Sequence, residues 1–474
     1  MNRNGLSPAQ RDRAVGAMVG MAVGNALGAG YAFEPRPLPG DVRMRPGGLG
    51  PYEAGEWGDD TAMAIPLLQV LQGGAALQDP ATQDEVVARW VKWARGTKDV
   101  APAVSEVLRA YDPVRGAAST RDAAVALHAQ NPAAGAGNAS LMRTTPITLG
   151  FLHDPAALAA AARRYSDLTH GNPQAGDACV LWNLAQRRAI VDGEFDLTTG
   201  LAYLPVARQS AWEQAVTQAE IGSPEDFAIH NGWVSQTLKT AWSAIATCDT
   251  PGPGHFEDAL RAAVAAGGDT PTVAAVTGGL LGARWGVSAI PLEWRRLLFG
   301  WPGWRDRDLV WAIREALGDG ERPLRTQQAP ARPIVTHPDD PGLLLGDIAA
   351  CPDLPSGITA LVALCPLGRA EEPIRVDARD QVDVWLLDSE DFAANPHLDH
   401  VVNQTVDMLM RLRGEGRTVY LASAAGRSRL PLVAAVYGAR LAALPASEIL
   451  QHLSLVMPDA APNPMFAEVL RRWD

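Results

Sequence analysis

Apolar residues recur every three or four positions through most of the first 320 residues. Thr61–Leu71, Asp84–Ala94, Pro102–Ala110 and Asp177–Ile190 each carry the spacing that lays one apolar stripe along a helix. Breaks containing Gly and Pro separate these segments, and the two-residue alternation of a half-buried strand is scarce. An all-α domain is predicted. The pattern changes in the last third of the chain. Ile358–Leu364 and Val382–Leu387 are apolar runs of strand length, His397–Arg413 has helical spacing, Arg417–Ala422 reads as a strand and Leu430–Leu441 as a helix. Strands alternating with helices predict a parallel α/β sheet. Between the two textures, Gly318–Pro341 is rich in Pro, Gly, Gln, Arg and Asp, a linker composition. The predicted organisation is multi-domain: an all-α domain over 1–320, a linker over 321–337 and an α/β domain over 338–474.

Composition narrows the class. The chain has 474 residues, 47% hydrophobic and 20% charged, which supplies ample material for buried cores. A formal net charge of −12 argues against wrapping a nucleic-acid backbone. The four cysteines, Cys179, Cys248, Cys351 and Cys365, form no CxxC pair and no Cys/His cluster. Free thiols in a reducing cytoplasm are expected, rather than disulfides or structural zinc. Ala14–Phe33 carries no charge and follows Arg11 and Arg13, a length compatible with a membrane span or a signal segment. Against that, Gly16, Gly20, Gly24 and Gly28 recur at intervals of four and Asn25 stands among them. Such glycines share one helix face where a second helix can approach closely, so a buried core helix and no membrane are expected.

Candidate chemistry sits at helix starts. Gly55–Met63 places Asp59 and Asp60 just ahead of an apolar helix, and Gly267–Ala275 places Asp269, Thr270 and Thr272 ahead of another. Carboxylates and hydroxyls on rigid turns suit a hard cation such as Mg²⁺, and the same residues also serve as ordinary helix caps. Thr270 followed by Pro271 fits a capping hydroxyl with proline in the first turn.

These segments, in this order, resemble the ADP-ribosylglycohydrolases, including the dinitrogenase reductase-activating type. Val19–Glu34, Gly55–Met63, Gly137–Arg143, Leu168–His170, Gly267–Gly286 and Ala289–Trp294 carry the resemblance, over roughly residues 10–305. It implies an all-α fold, a binuclear Mg²⁺ centre and hydrolysis of the bond between ADP-ribose and an acceptor, often arginine. By the resemblance, Asp59, Asp60, Asp269 and Thr272 are metal ligands, with Asp60 and Glu34 in catalysis. Asn138, Ala139, Ser140 and Leu141 would contact substrate or form a structural loop. His170 would line the groove or pack in the core. Several positions depart from the family pattern. Gly58 stands where Thr or Ser is usual, and Pro271 replaces the second Asp of the late motif. Asn25 replaces the Asp of Gly-Asp-Ala-Leu-Gly, Ala32 aligns with a catalytic glutamate, and Asn172 stands near a usual acid. With three carboxylates left, one Mg²⁺ ion is expected rather than two tightly held.

The C-terminal part has its own constellation. Val419–Arg429 runs from a strand through a small-residue loop into a helix, a geometry that aims backbone N–H groups at one point. It resembles the dual-specificity and tyrosine phosphatase loop, His-Cys-x-x-Gly-x-x-Arg. Ala422 and Ser423 occupy the His and Cys positions. Ser423, Ala424, Gly426, Arg427, Ser428 and Arg429 are the predicted phosphate-binding residues. Asp388 or Asp391 would be a remnant general acid or a solvated loop residue. A serine hydroxyl without a base stays protonated, so phosphatase turnover is not expected. The expected function is Mg²⁺-dependent removal of ADP-ribose from a modified protein or small acceptor. The alternative is an ADP-ribose- or phosphate-binding protein that has lost catalysis.

Overall fold

The computed structural model describes residues 5–132, 136–318, 332–368, 373 and 375–474. Its contacts divide them into two compact units. The first comprises Arg13–Ile290 and Leu298–Gly318; the second comprises Gly5–Asp12, Pro291–Leu297 and the described residues from Arg332 onward. The division departs from the predicted boundaries at both short segments. Pro291–Leu297 belongs with the second unit because its polar groups are met there. Arg296 pairs with Asp380 and Glu415, Glu293 with Arg411, and Leu292 N–H donates to Gln404. Most of the predicted linker, 321–331, lies outside the described residues. Its end is corrected, because Val335–His337 forms a strand.

The first unit is helical. Its helices are α1 Pro8–Ala29 from Arg13 onward, α2 Asp59–Gln72, α3 Pro80–Ala94, α4 Pro102–Arg109, α5 Ala117–Gln130, α6 Thr145–Gly150, α7 Pro155–Ser166, α8 Pro173–Asp192, α9 Val206–Ile221, α10 Val234–Ala246, α11 Gly254–Ala265 and α12 Thr270–Trp285. Asp79, Asp154 and Asn172 cap α3, α7 and α8, each side chain accepting a first-turn N–H ahead of a proline. The glycine stripe of α1 behaves as its spacing predicts. A Cβ on Gly16, Gly20, Gly24 or Gly28 would collide with the carbonyl oxygens of Gly282, Gly278, Ala274 and Thr270 in turn. The two backbones therefore lie against each other along four turns, α1 running toward the start of α12. Met18, Met21, Leu27, Met63, Trp90, Tyr165, Trp182 and Phe256 are fully buried around this pair. Among the described residues no single helix is long and apolar enough to cross a membrane.

After α12 come α13 Leu292–Leu297, the two-residue strands β1 Phe299–Gly300 and β2 Trp304–Arg305, and α14 Asp306–Ala316. The second unit continues with β3 Val335–His337, β4 Asp340–Asp347, β5 Ala360–Ala363, β6 Gln381–Asp383, α15 Leu398–Gly414, β7 Val419–Ser423, α16 Arg429–Ala442, α17 Ala446–Val456 and α18 Pro464–Arg471. Its sheet has the order β3-β4-β7-β5-β6, with β3–β4 antiparallel and the other pairs parallel. This matches the predicted parallel α/β sheet and adds an antiparallel edge. Ala363 stands beside Ala422 and Asp347 beside Ser423, so the strands end together where the β7–α16 loop begins. Loops at that end of a parallel sheet are where such folds place ligands.

Candidate active site

The α1–α12 contact puts three helix segments around one point. Asn25 on α1 is fully buried and faces the first turn of α2. Its Oδ1 accepts from Gly58 N–H at 2.8 Å, Thr61 N–H at 3.3 Å and the Thr61 hydroxyl at 3.0 Å. Three donors on one oxygen fix the orientation of the amide. Its Nδ2 then donates to Asp60 Oδ2 at 2.6 Å, while Asp60 Oδ1 is buried without a partner. On α12, Thr270 does not cap its own helix; its hydroxyl donates to Gly28 O at 2.8 Å. Asp269 precedes the helix, and its Oδ2 accepts from Asn138 Nδ2 at 2.7 Å.

The carboxylates sense one another. Burial, then the charges of Asp99 and Asp269, push Asp59 up to about 7. Burial, then the charges of Asp59 and Asp269, hold Asp60 well above the usual range, with the nearby Thr272 hydroxyl opposing. Burial raises Asp269 too, although Asn138 and Thr272 hydrogen bonds oppose it. Buried carboxylates this close need a proton or a cation. Among the described residues, no three His, Cys, Asp or Glu side chains converge tightly enough to hold one ion between them. The oxygen donors nearest one another in charge and hydrogen bonding are the Asp60 and Asp269 carboxylates and the Thr272 hydroxyl. Oxygen donors of this kind suit a hard cation such as Mg²⁺ only with water completing its shell.

Above these groups opens a cavity of about 270 Å³. Asp59, Asp99, Asn138, His170, Asp269 and Thr272 line it, with Phe33, Leu49, Gly137, Ala139, Met142 and Pro271 among the other walls. Of the predicted residues the cavity gathers Asp59, Asn138, Ala139, His170, Asp269 and Thr272, while Asp60 is fully buried behind its wall. His170 lines it as well as being packed, at 1% exposure. Ser140 and Leu141 do not line it. Ser140 faces the core, where its hydroxyl accepts from Ser166 Oγ at 2.9 Å, and Leu141 is buried beside it. Glu34 is exposed and away from the cavity; Phe33 is the residue turned to it. Phe33 has a left-handed backbone (φ 56), and its N–H donates to Gly268 O. Asp99 was not anticipated. It lies three residues ahead of the helix that begins at Pro102, not at the helix start where Asp59, Asp60 and Asp269 stand, so no comparable signal marked it in the sequence.

The second unit places its loop as the sequence suggests, with different bonding. Ser423 is buried at the end of β7, and its Oγ accepts from Gly426 N–H at 3.0 Å. Gly426 has φ 67, which suits glycine. Arg429 is turned inward: its Nη1 donates to the carbonyls of Leu364 and Leu386, both at 3.0 Å. Ser428 Oγ accepts from Asn463 N–H, and Arg427 is exposed beside Asp459. Asp388 accepts from Asn463 Nδ2 at 3.0 Å, and Asp391 caps a short turn through Ala393 N–H.

A helical unit thus brings aspartates from two helix starts, Asp59 and Asp269, to the wall of one cleft. Residues 6–324 match the family model described as ADP-ribosylglycohydrolase, and the chain belongs to that family. It is 28% identical over 300 residues to the ADP-ribosylarginine hydrolase Tri1 of Pseudomonas putida (strain GB-1), covering 61% of this chain and 75% of that protein. It is 27% identical over 295 residues to the ADP-ribosyl-dinitrogen reductase glycohydrolase of Rhodospirillum rubrum, covering 60% of this chain and 90% of that protein. Among solved structures, an ADP-ribosylglycohydrolase-related protein complex is similar at 29% identity and a TM-score of 0.49, covering 65% of this chain and 98% of that one. Human DUSP28 is similar at 22% identity and a TM-score of 0.27, covering 31% of this chain and 96% of that one.

Proposed function

We propose that the chain hydrolyses the glycosidic bond between ADP-ribose and an arginine side chain of a modified protein, with one Mg²⁺ in the first unit's cleft. The observation that carries this reading is the unpartnered, buried Asp60 Oδ1 among aspartates that raise one another's pKa. Family membership supports the bond class, and the relatives named for ADP-ribosylarginine and dinitrogen reductase support a protein-borne arginine. The cavity also suits a guanidinium, with acidic Asp99 and the exposed ring of Phe33 on its wall.

Asp60, Asp269 and Thr272 would hold the ion, whose charge would polarise and orient ribose oxygens and a water. Asp59 faces the cavity and takes the proton of the attacking water as its oxygen bonds the anomeric carbon and arginine departs. Asn138 anchors Asp269, and Asn25 anchors Asp60. Glu34 has no part in this scheme because it stands outside the cavity. In the second unit, no base lies within hydrogen-bond distance of Ser423 among the described residues, so no phosphatase turnover is assigned to it. A second reading, ADP-ribose binding without cleavage, is favoured by Pro271, which offers no side-chain oxygen, and by Asn25 occupying Asp60 Oδ2. Calorimetry with Mg²⁺ and ADP-ribose, beside an assay of ADP-ribose release, separates the two. One Mg²⁺ per chain with release supports hydrolysis; ADP-ribose binding without release supports the reader.

A further inference from the structure

Arg143 is 1% exposed and makes no ion pair with a carboxylate among the described residues. Uncharged groups hold it instead. Its Nη2 donates to the Tyr165 carbonyl at 3.2 Å and to Thr169 Oγ1 at 2.6 Å. The guanidinium lies 4.1 Å over the Trp90 ring, and Nη1 is 3.8 Å from Met63 Sδ. Burial pulls its pKa down to about 9, which leaves it charged at neutral pH. An unpaired buried charge is unfavourable, so the site must hold it there through its donors and the ring.

The consequence lies one bond further on. Thr169 Oγ1 is 2.8 Å from His170 Nδ1. A guanidinium only donates, so Oγ1 accepts from Arg143 and has one proton to give. His170 Nδ1 is the acceptor within its reach among the described residues. Were Nδ1 protonated, the buried hydroxyl hydrogen would have no acceptor, a deficit large enough to choose between two imidazole tautomers of similar intrinsic energy. The ring proton therefore sits on Nε2. That edge has no protein hydrogen-bond partner among the described residues, and the ring lines the cavity. The ring stays neutral, since burial and then the Arg143 charge bring its pKa down to about 3.

We infer that Arg143 is a positioning residue: through the Thr169 hydroxyl it fixes His170 as the Nε2–H tautomer, which donates a hydrogen bond to an oxygen of ADP-ribose in the cleft. The inference rests on the reading of this cavity as an ADP-ribose site. It places the effect in ligand affinity and KM, with kcat little changed.

The test uses the full chain with ¹⁵N-labelled histidine, the His170 signals being assigned with a His170→Gln variant. The expected spectrum of the wild type shows a bare Nδ1 and a protonated Nε2. Thr169→Val, which keeps shape and loses the hydroxyl, is expected to erase that preference and weaken ADP-ribose binding about tenfold. Thr169→Ser is expected to restore both. A protonated Nδ1 in the wild type overturns the inference, and so does a Thr169→Val protein with unchanged tautomer and affinity. Absence of ADP-ribose binding to the wild type overturns it as well. If Thr169→Val does not fold, the wild-type spectrum decides. The expected tautomer and affinities in a chain that releases no ADP-ribose uphold this inference and remove the hydrolase reading; release with a protonated Nδ1 does the reverse.

Discussion

Asn25 touches Asp60 at 2.6 Å, in a position where an aspartate would place a second negative charge against it. A charge-assisted bond of this kind contributes about 1.5–3 kcal/mol. Asn25→Asp is expected to lower the melting temperature in EDTA and to enlarge the rise on adding Mg²⁺; melts with and without the ion check both. Asp177 makes a different case. Its fully buried carboxylate takes hydrogen bonds from Arg163, Arg208 and Trp212. Burial pushes its pKa up, and those bonds outweigh burial, leaving it below the ordinary value. A folded pKa below the unfolded one means the stabilisation is present above about pH 4 and is lost as pH falls through the folded value. Asp177→Asn, which removes the charge that two partly exposed arginines meet, is expected to cost about 1–3 kcal/mol at neutral pH and less in acid, read from denaturation at several pH values. Of the site residues, Asp59, Asp60 and Asp269 were legible because carboxylates ahead of apolar helices stand out. Phe33 was not, because its own left-handed backbone is held by Gly268, far away in sequence. Ser140 misled for a similar reason: its partner is Ser166, and only the fold brings that hydroxyl near.

Helices carry the site's geometry. The four glycines of α1 let its backbone rest on α12, which brings Asn25 to α2 and Thr270 to Gly28. A Cβ at Gly24 would meet the Ala274 carbonyl, and backbone cannot yield as a side-chain tip can. Gly24→Ala is expected to cost about 1–3 kcal/mol and to weaken Mg²⁺ binding with it, whereas Gly40→Ala, where a Cβ meets nothing within 4 Å, leaves both unchanged. Thermal melts and Mg²⁺ titration of the two variants check the contrast. The glycine face was legible because a period of four has one structural use here. The β3–β4 pair was not, since Val335–His337 is only three residues long and adjoins a proline- and arginine-rich stretch. The strand at 382–387 was predicted too long, because past Asp383 the chain leaves the sheet to present Leu386 O to Arg429.

At the scale of the molecule, the chain joins two units of different texture, and chemistry is assigned to the first. The change in hydrophobic period announced both, while the place of Pro291–Leu297 in the second depends on long-range partners of Arg296, Asp380 and Glu415. A sequence pattern reports what a segment buries, and says little about which surface it is buried against. The second unit's loop runs from β7 into α16, and its arginine is bound to the carbonyls of Leu364 and Leu386. We propose that the cleft lined by Asp59 and Asp269 cleaves ADP-ribose from arginine. Release of ADP-ribose from an ADP-ribosylarginine protein, followed with Mg²⁺, with EDTA and with Asp60→Ala, tests it most directly. Release is expected with Mg²⁺, to stop in EDTA and to fall at least about a hundredfold in the variant, on the order of one lost electrostatic catalytic group. Release that persists in EDTA or in Asp60→Ala, or no release from the wild type, would contradict it.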